Sequence, residues 1–250
     1  MSRGLGDVYK RQFQTNIIDF SETKHDKSTY SIFGGSIVLE GSTLNARQFA
    51  TQGSREKMAA QIFTGTEHFR SGASKVTKDT PEPYKKVQSW LQVSYQNETY
   101  HKVSPKFTLG AYLEAYYSSR NFSNNYTATL MQAGEFTPTA HSKVTYNEAF
   151  RANQYAGVGT MPIYQLSESF QLRGEFYGFI PIFPIKKDEY GQAYYGKAFT
   201  KFEYLGEISL VFQLSFGSIS AYVNHYSSPS NDWNVGLTLG WQLFNSRFVE

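Results

Sequence analysis

The chain contains no cysteine, which excludes disulfide frameworks and thiolate metal sites. It has no run of eighteen apolar residues, so no transmembrane helix is predicted. Its net charge is only +3 and its basic residues do not cluster, which argues against a nucleic-acid partner. The five histidines never occur at metal-ligand spacing. We therefore predict no metal and no cofactor.

The N-terminus lacks the apolar segment of a secretory signal. Residues 1–12 are typical of translated sequencing-adapter sequence rather than of native protein, and we exclude them from the fold prediction. We expect the natural chain to begin upstream, so that residues 13–250 form the C-terminal portion of a longer protein.

Aromatic residues are abundant, at 17% of the chain with 19 Tyr and 20 Phe, yet the mean hydropathy is −0.46. Membrane β-barrels combine these two properties because apolar residues that face lipid alternate with polar residues that face the lumen. From Lys201 to Trp241 the residues alternate with a period of two over three consecutive segments, which predicts an antiparallel meander.

Similar alternation upstream predicts about ten long strands in residues 13–250. The connections between them alternate in length, short at 51–55, 101–105, 165–168 and 215–218 and long at 71–86, 120–148 and 181–197. This arrangement is typical of an outer-membrane barrel. A soluble sandwich or a lipocalin-like barrel is the alternative, because alternation alone does not show which face meets water.

The parity of the strands assigns two sets of residues. The apolar set is predicted to face lipid: Leu109, Leu113, Phe170, Leu172, Phe176, Phe202, Ile208, Leu210, Phe212, Val223, Leu237, Leu239 and Trp241. The polar set is predicted to face the lumen: Glu114, Arg173, Glu175, Lys201, Glu203, Glu207 and Gln213. The charges in the polar set could line a selective water channel, but we favour an ion-pair network that fills and stiffens the interior.

The long polar segment 120–148 has no sustained period. His141, Ser142 and Glu148 lie close together in it, but nothing in the sequence places a base beside a nucleophile. We therefore expect these residues to be solvated in a loop, and we predict no catalytic residue. A long loop can also fold into a barrel as a plug, and Gly134–Lys143 is the part of this segment that we would assign to one.

Two stretches carry a family resemblance. Residues 43–58 resemble the strand–turn–strand signature of the bacterial surface antigen superfamily of barrels, without its usual proline. Residues 150–185, with Lys201–Ser209 and Ala221–Ser228, look like the C-terminal barrel of Bacteroidetes patatin-like phospholipases. This resemblance implies a parent with an N-terminal patatin hydrolase domain, a periplasmic linker domain and a barrel of about sixteen strands.

No Gly-x-Ser-x-Gly nucleophile elbow occurs in the chain, so no catalytic residue can be transferred from that family. The resemblance therefore implies an outer-membrane anchor or translocator of a patatin-like phospholipase. Its expected partners are outer-membrane lipids, the barrel-assembly machinery and the hydrolase domain of the parent chain. The alternative is a porin-like, transport or outer-membrane assembly barrel without an enzymatic domain.

Overall fold

The computed structural model describes residues 27–70, 84–123, 125–189, 191–214, 216–228 and 233–241. The predicted strand Phe13–Phe20, the adapter-like residues 1–12 and most of the predicted long loop 71–86 lie outside these residues.

Nine long strands form the main sheet. They are β1 (Lys27–Ser42), β2 (Gly53–Arg70), β3 (Tyr84–Ser104), β4 (Phe107–Ser118), β7 (Gln154–Gln165), β8 (Phe170–Pro181), β11 (Glu203–Leu214), β12 (Gly217–Tyr226) and β13 (Trp233–Trp241). Neighbours in the chain are neighbours in the sheet, in the order β1-β2-β3-β4-β7-β8-β11-β12-β13, and each pair is antiparallel. The prediction of a mostly-β chain with a large antiparallel sheet is confirmed.

The remaining elements lie between these strands. They comprise helix α1 (Tyr126–Gln132), two 3-10 turns at Ser142–Val144 and Glu148–Phe150, and a small ribbon of β5 (Gly134–Glu135) with β6 (Arg151–Ala152). A second ribbon pairs β9 (Ile185–Lys187) with β10 (Ala193–Tyr195). Asn125 caps α1 by accepting a hydrogen bond from the Ala128 amide, 2.7 Å away. No helix among the described residues is long and apolar enough to cross a membrane.

The connections differ from the prediction at one place. The links after β3, β7 and β11 have two to four residues and the links after β4 and β8 are long, as the composition indicates. The first connection, expected to turn at 51–55, instead runs over residues 43–52 because β2 already begins at Gly53. Phe49 in this connection has a φ of 53°, so the chain turns sharply there.

The main sheet curves around its polar face. Gln48 Oε1 lies against Gly240 of β13, only 2.5 Å from where a β-carbon of that glycine would stand. The backbone from Gly53 to Gln48 spans at most about 18 Å. In a flat sheet, seven strand spacings would place β13 about 34 Å from β2. The Gln48 side chain is too short to close this gap, so the sheet must bend to bring its two halves together.

Candidate functional site: the polar face and the inserted segment

The two faces of the main sheet differ in exposure, and the face that carries the large apolar residues is the more exposed one. On one face Leu237 is 82% exposed, Leu239 68% and Ile208 53%, although all three are large apolar residues. On the other face Arg173 and Glu207 are only 3% exposed. Water-soluble sheets bury their apolar side and expose their charges. This sheet exposes its apolar face, and its other face buries charged side chains together with apolar ones such as Leu205 and Val211.

The two residue sets assigned from parity lie on these opposite faces. Most of the apolar set is exposed: Leu109, Leu113, Phe170, Leu172, Phe176, Phe202, Ile208, Leu210, Val223, Leu237 and Leu239. Phe212 is half-buried against Phe170, and the side chain of Trp241 is outside the described part of the chain. In the polar set Arg173, Glu175, Glu203 and Glu207 are buried, whereas Glu114, Lys201 and Gln213 are half-buried.

Arg173 on β8 organises the middle of the polar face. Its guanidinium pairs with Glu175, donates to the Tyr100 hydroxyl on β3, and donates to the Ala50 carbonyl at 2.8 Å. Tyr177 donates to the second oxygen of Glu175 at 3.0 Å. A buried charge is tolerated only when it is paired and fully hydrogen-bonded. This network fits the predicted ion-pair interior.

A second carboxylate network lies beside it. Glu114 on β4 accepts from the hydroxyls of Tyr112 at 2.5 Å and Tyr155 at 2.6 Å, and Tyr112 accepts from Gln96 on β3 at 2.8 Å. These residues are all on the polar parity of their strands. Tyrosine therefore serves two purposes on this face: its ring fills space and its hydroxyl satisfies a carboxylate.

The segment between β4 and β7, residues 119–153, folds across the polar face. We call it the inserted segment. Phe136 is 2% exposed and packs against the rings of Tyr112, Tyr155, Tyr177 and Phe179. Most of the buried aromatic cluster thus lies between the inserted segment and the polar face.

A glycine of the main sheet makes room for this ring. A β-carbon at Gly157 of β7 would stand 2.1 Å from Phe136 Cε2, closer than atoms can approach. Gly157 is therefore a point of close approach between the strand and the inserted segment.

His141 attaches the middle of the inserted segment to the main sheet. It is 4% exposed, its Nδ1 lies 2.7 Å from Glu207 Oε1 on β11, and its Nε2 lies 2.8 Å from Thr238 Oγ1 on β13. Its ring stacks on Tyr222 of β12 at a centroid distance of 3.5 Å. The expectation of solvated side chains is wrong for His141 and for Ser142, which is 3% exposed, because the segment turns inward and Glu207 hydrogen-bonds to His141.

Glu207 needs this partner for an electrostatic reason. It stands directly opposite Glu175 in the register of β8 and β11, and like charges in that position repel. Arg173 pairs with Glu175, while His141 and the Asn224 amide, 3.5 Å away, hydrogen-bond to Glu207. The two ring nitrogens of His141 contact Glu207 and Thr238, and Ser142 instead hydrogen-bonds to Thr139, so His141 and Ser142 do not form a base–nucleophile pair.

The base of the inserted segment is fixed near β3 and β7. The Arg120 guanidinium lies 4.2 Å from the ring centroid of Trp90, in cation–π contact. Asn153, 3% exposed, donates to the Arg120 carbonyl at 3.3 Å and to the Tyr195 hydroxyl at 2.9 Å. These contacts hold the first and last residues of the inserted segment close together.

The β1–β2 connection enters the polar face from the opposite end. The Phe49 carbonyl accepts from Gln171 on β8 and Gln213 on β11, both at 3.3 Å, and Gln48 accepts from Ser218 on β12 at 3.0 Å. The polar face of β4 to β13 is thus covered from both ends. Beneath β2 and β3 it is less covered, and Lys57, Gln61 and Gln92 are half-buried there.

A pocket of about 70 Å³ opens at the end of the sheet that carries the long connections. Its lining comes from the inserted segment (Tyr126, Glu148, Ala149, Arg151), from the end of β8 and the connection after it (Pro181, Pro184, Ile185), and from residues just before β11 and just after β12 (Lys201, Ser228). Among the described residues, no group of three or more His, Asp or Glu side chains is arranged to hold a metal ion.

Sequence reasoning did not find the partners of this site. Phe136, His141 and Asn153 lie in or next to a segment without periodicity, so nothing in the pattern gives them a direction. One signal was present: an apolar Phe and a His within a long, glycine-containing polar stretch.

Comparison with models of protein families, with curated protein sequences and with solved structures finds no match to this chain.

Proposed function

We propose that the chain is part of the wall of an outer-membrane β-barrel and that it serves as a membrane anchor. The observation that carries this proposal is the exchange of faces in the main sheet, with large apolar residues exposed and charged residues buried. Membrane barrels present an apolar band to lipid and a polar interior, and their strands satisfy all backbone groups in a closed ladder. The bend of the sheet around its polar face agrees with such a wall.

The extent of the apolar face argues against a water-soluble sandwich. Exposed apolar residues continue from Ile37 (69%) on β1, through Ile62 (67%) on β2 and Leu113 (43%) on β4, to Leu237 on β13. Soluble monomers rarely expose contiguous apolar patches larger than a few hundred Å². Lipid is a covering that fits a surface of this width and uniformity.

The resemblance to patatin-like phospholipases supports a hydrolase as the anchored partner. No Gly-x-Ser-x-Gly elbow occurs in the chain, so in this proposal the hydrolytic chemistry belongs to another part of the parent chain. In this proposal the wall holds the hydrolase at the membrane, and contact with outer-membrane lipids places the enzyme beside its substrate. The barrel-assembly machinery would insert the wall.

A transport barrel without an enzyme is the second candidate. It is favoured by the half-buried polar strip beneath β2 and β3, where Lys57, Gln61 and Gln92 are not covered by the inserted segment. The anchor is the better supported of the two, because the inserted segment and the β1–β2 connection occupy the rest of the polar face. An anchor tolerates a blocked interior, whereas an efficient pore does not.

Three arginine substitutions on β11 test the facing of the wall. Phe212→Arg and Gln213→Arg change adjacent residues on opposite faces, and Leu210→Arg lies nearer the middle of the strand. An arginine facing lipid costs about 2–4 kcal/mol near the bilayer midplane and less near the interface. An arginine at 213 can still donate to the Phe49 carbonyl, as Gln213 does.

The measurement is assembly in bacterial outer membranes, followed by heat-modifiable migration on gels. We expect Leu210→Arg to block assembly, Phe212→Arg to weaken it and Gln213→Arg to assemble as the parent does. Equal behaviour of the three variants would overturn the facing. Sequencing the source DNA upstream of residue 13 tests the proposal of an attached hydrolase. A Gly-x-Ser-x-Gly elbow there supports the anchor. A signal peptide that leads directly into strands supports the transport barrel.

A further inference from the structure

The pocket at the long-connection end brings together two cationic side chains from separate parts of the fold. Arg151 comes from the inserted segment, and Lys201 comes from the residues just before β11. The pocket volume of about 70 Å³ is several times what a single water molecule requires. We propose that this pocket binds a phosphate group that carries one negative charge.

Arg151 is oriented for such a ligand by its other contacts. Its Nη2 pairs with Glu135 Oε2 at 2.6 Å, and its Nη1 donates to the Leu130 carbonyl at 3.3 Å. The Nε–H is buried and out of reach of a ligand in the pocket. The Glu135 pair uses one of the two Nη2 hydrogens, so the guanidinium keeps a donor for a ligand. An oxyanion is the partner that a guanidinium binds best.

Lys201 supplies the second positive charge in the pocket lining. Its ammonium lies 3.2 Å from Glu203 Oε1, and its side chain is 38% exposed. An ammonium has three donors, so this pairing leaves hydrogen-bonding capacity for a ligand. Ser228 adds a hydroxyl to the lining.

The remaining charge in the lining decides how negative the ligand should be. Glu148 also lines the pocket, and its carboxylate opposes a second negative charge. Glu135 and Glu203 already offset much of the charge of Arg151 and Lys201. A phosphodiester, with a single charge, therefore fits this lining better than a phosphate dianion.

The surroundings of the pocket resemble a membrane interface. The connection before β11 exposes Tyr194 (46%), Phe199 (69%) and Phe202 (61%), and Lys197 is also exposed. Backbone hydrogen bonds from Gly196 to Pro184 and from Phe199 to Ile182 hold this connection beside the pocket. Aromatic and basic residues are enriched where barrels meet lipid headgroups. Resting on the proposed function, the phosphodiester is that of a phospholipid headgroup, and free phosphate is the other source of the same chemistry.

The test uses the full chain refolded in phosphate-free alkyl maltoside micelles. Two probes are titrated by isothermal calorimetry: inorganic phosphate and the short-chain lipid dihexanoyl phosphatidylglycerol. Arg151→Lys keeps the charge but removes the planar set of guanidinium donors, and Lys201→Gln removes a charge that pairs with Glu203. Lys106→Gln, an exposed lysine in the short β3–β4 link and outside the pocket lining, is the matched control.

We expect saturable binding that weakens at least tenfold in Arg151→Lys and in Lys201→Gln and is unchanged in Lys106→Gln. Tighter binding of the lipid identifies a headgroup site, and tighter binding of phosphate identifies a free-anion site. No binding of either probe to the folded chain, or equal binding by all variants, overturns the proposal. Hydrogen exchange of the inserted segment monitors folding, so Lys201→Gln decides the outcome if Arg151→Lys displaces the segment. The micelle experiment does not need bilayer insertion, so the binding result can be interpreted even if the chain fails in the membrane-assembly assay.

Discussion

The contact between His141 and Glu207 yields a quantitative prediction about the inserted segment. His141→Ala leaves the buried Glu207 carboxylate with only the Asn224 amide, 3.5 Å away, and directly opposite Glu175. It also removes the ring that stacks on Tyr222. Removing one partner of a buried, hydrogen-bonded charge costs about 3–5 kcal/mol, because the other charge stays buried without compensation. We expect a loss of that size in the docking of the inserted segment.

The assay is hydrogen–deuterium exchange of the amides of residues 134–150 in the refolded chain. Exchange by local opening reports the free energy that holds the inserted segment on the main sheet. Because β8 and β11 keep their strand ladder, their amides should remain protected in His141→Ala. Val144→Ala, at a side chain 84% exposed in the same segment, is the control and should change exchange very little.

A double variant separates the charge from the packing. In His141→Ala/Glu207→Ala the uncompensated carboxylate is gone, so the combined loss should be smaller than the sum of the two single losses. If His141→Ala opens the segment no more than Val144→Ala does, then His141 is not what holds the segment, and the reasoning from buried charge is refuted.

Three further predictions concern the same face. Phe136→Ala should destabilise the docked segment by about 3–5 kcal/mol, because it deletes a ring in contact with four others, and urea unfolding measures the loss. Gly157→Ala should lower the free energy of unfolding by about 1–3 kcal/mol, because the added carbon overpacks against Phe136. Gly35→Ala, with no atom within 4 Å of the added carbon, should be neutral in the same unfolding experiment. Equal effects of the two variants would contradict the close approach of Phe136 to Gly157. Deletion of residues 130–146 in a full-length parent should raise single-channel conductance in planar bilayers, and unchanged conductance would show that the segment does not block the interior.

The strands and their two faces could be predicted from the sequence because both follow from a period of two. Leu210 and Glu207 differ in parity, and no tertiary contact is needed to place them on opposite faces of one strand. The antiparallel order followed from short connections such as the two residues between β3 and β4. Local chemistry decides these features, so they can be read locally.

The sequence left two directions open for the inserted segment, outward into solvent or inward as a plug, and nothing in it decided between them. Residues 119–153 have no period, and their position depends on partners that are distant in the chain: His141 on Glu207, Phe136 on Phe179, Asn147 on the Ser228 carbonyl. A histidine in a polar stretch is solvated unless a carboxylate stands where the chain folds back. Only the curvature of the sheet determines whether that carboxylate is within reach.

The same division holds for charge and for the pocket. Alternation alone assigned Arg173 and Glu175 to one face, but the compensation of two opposing glutamates by Arg173 and His141 exists only once β8, β11 and the inserted segment are assembled. The pocket of Arg151 and Lys201 joins residues fifty positions apart. The sequence by itself determined what each strand presents on its two sides, because that depends on neighbours two residues away. The tertiary structure decided what covers the polar side, because that depends on loops whose backbone hydrogen bonds are made with remote partners.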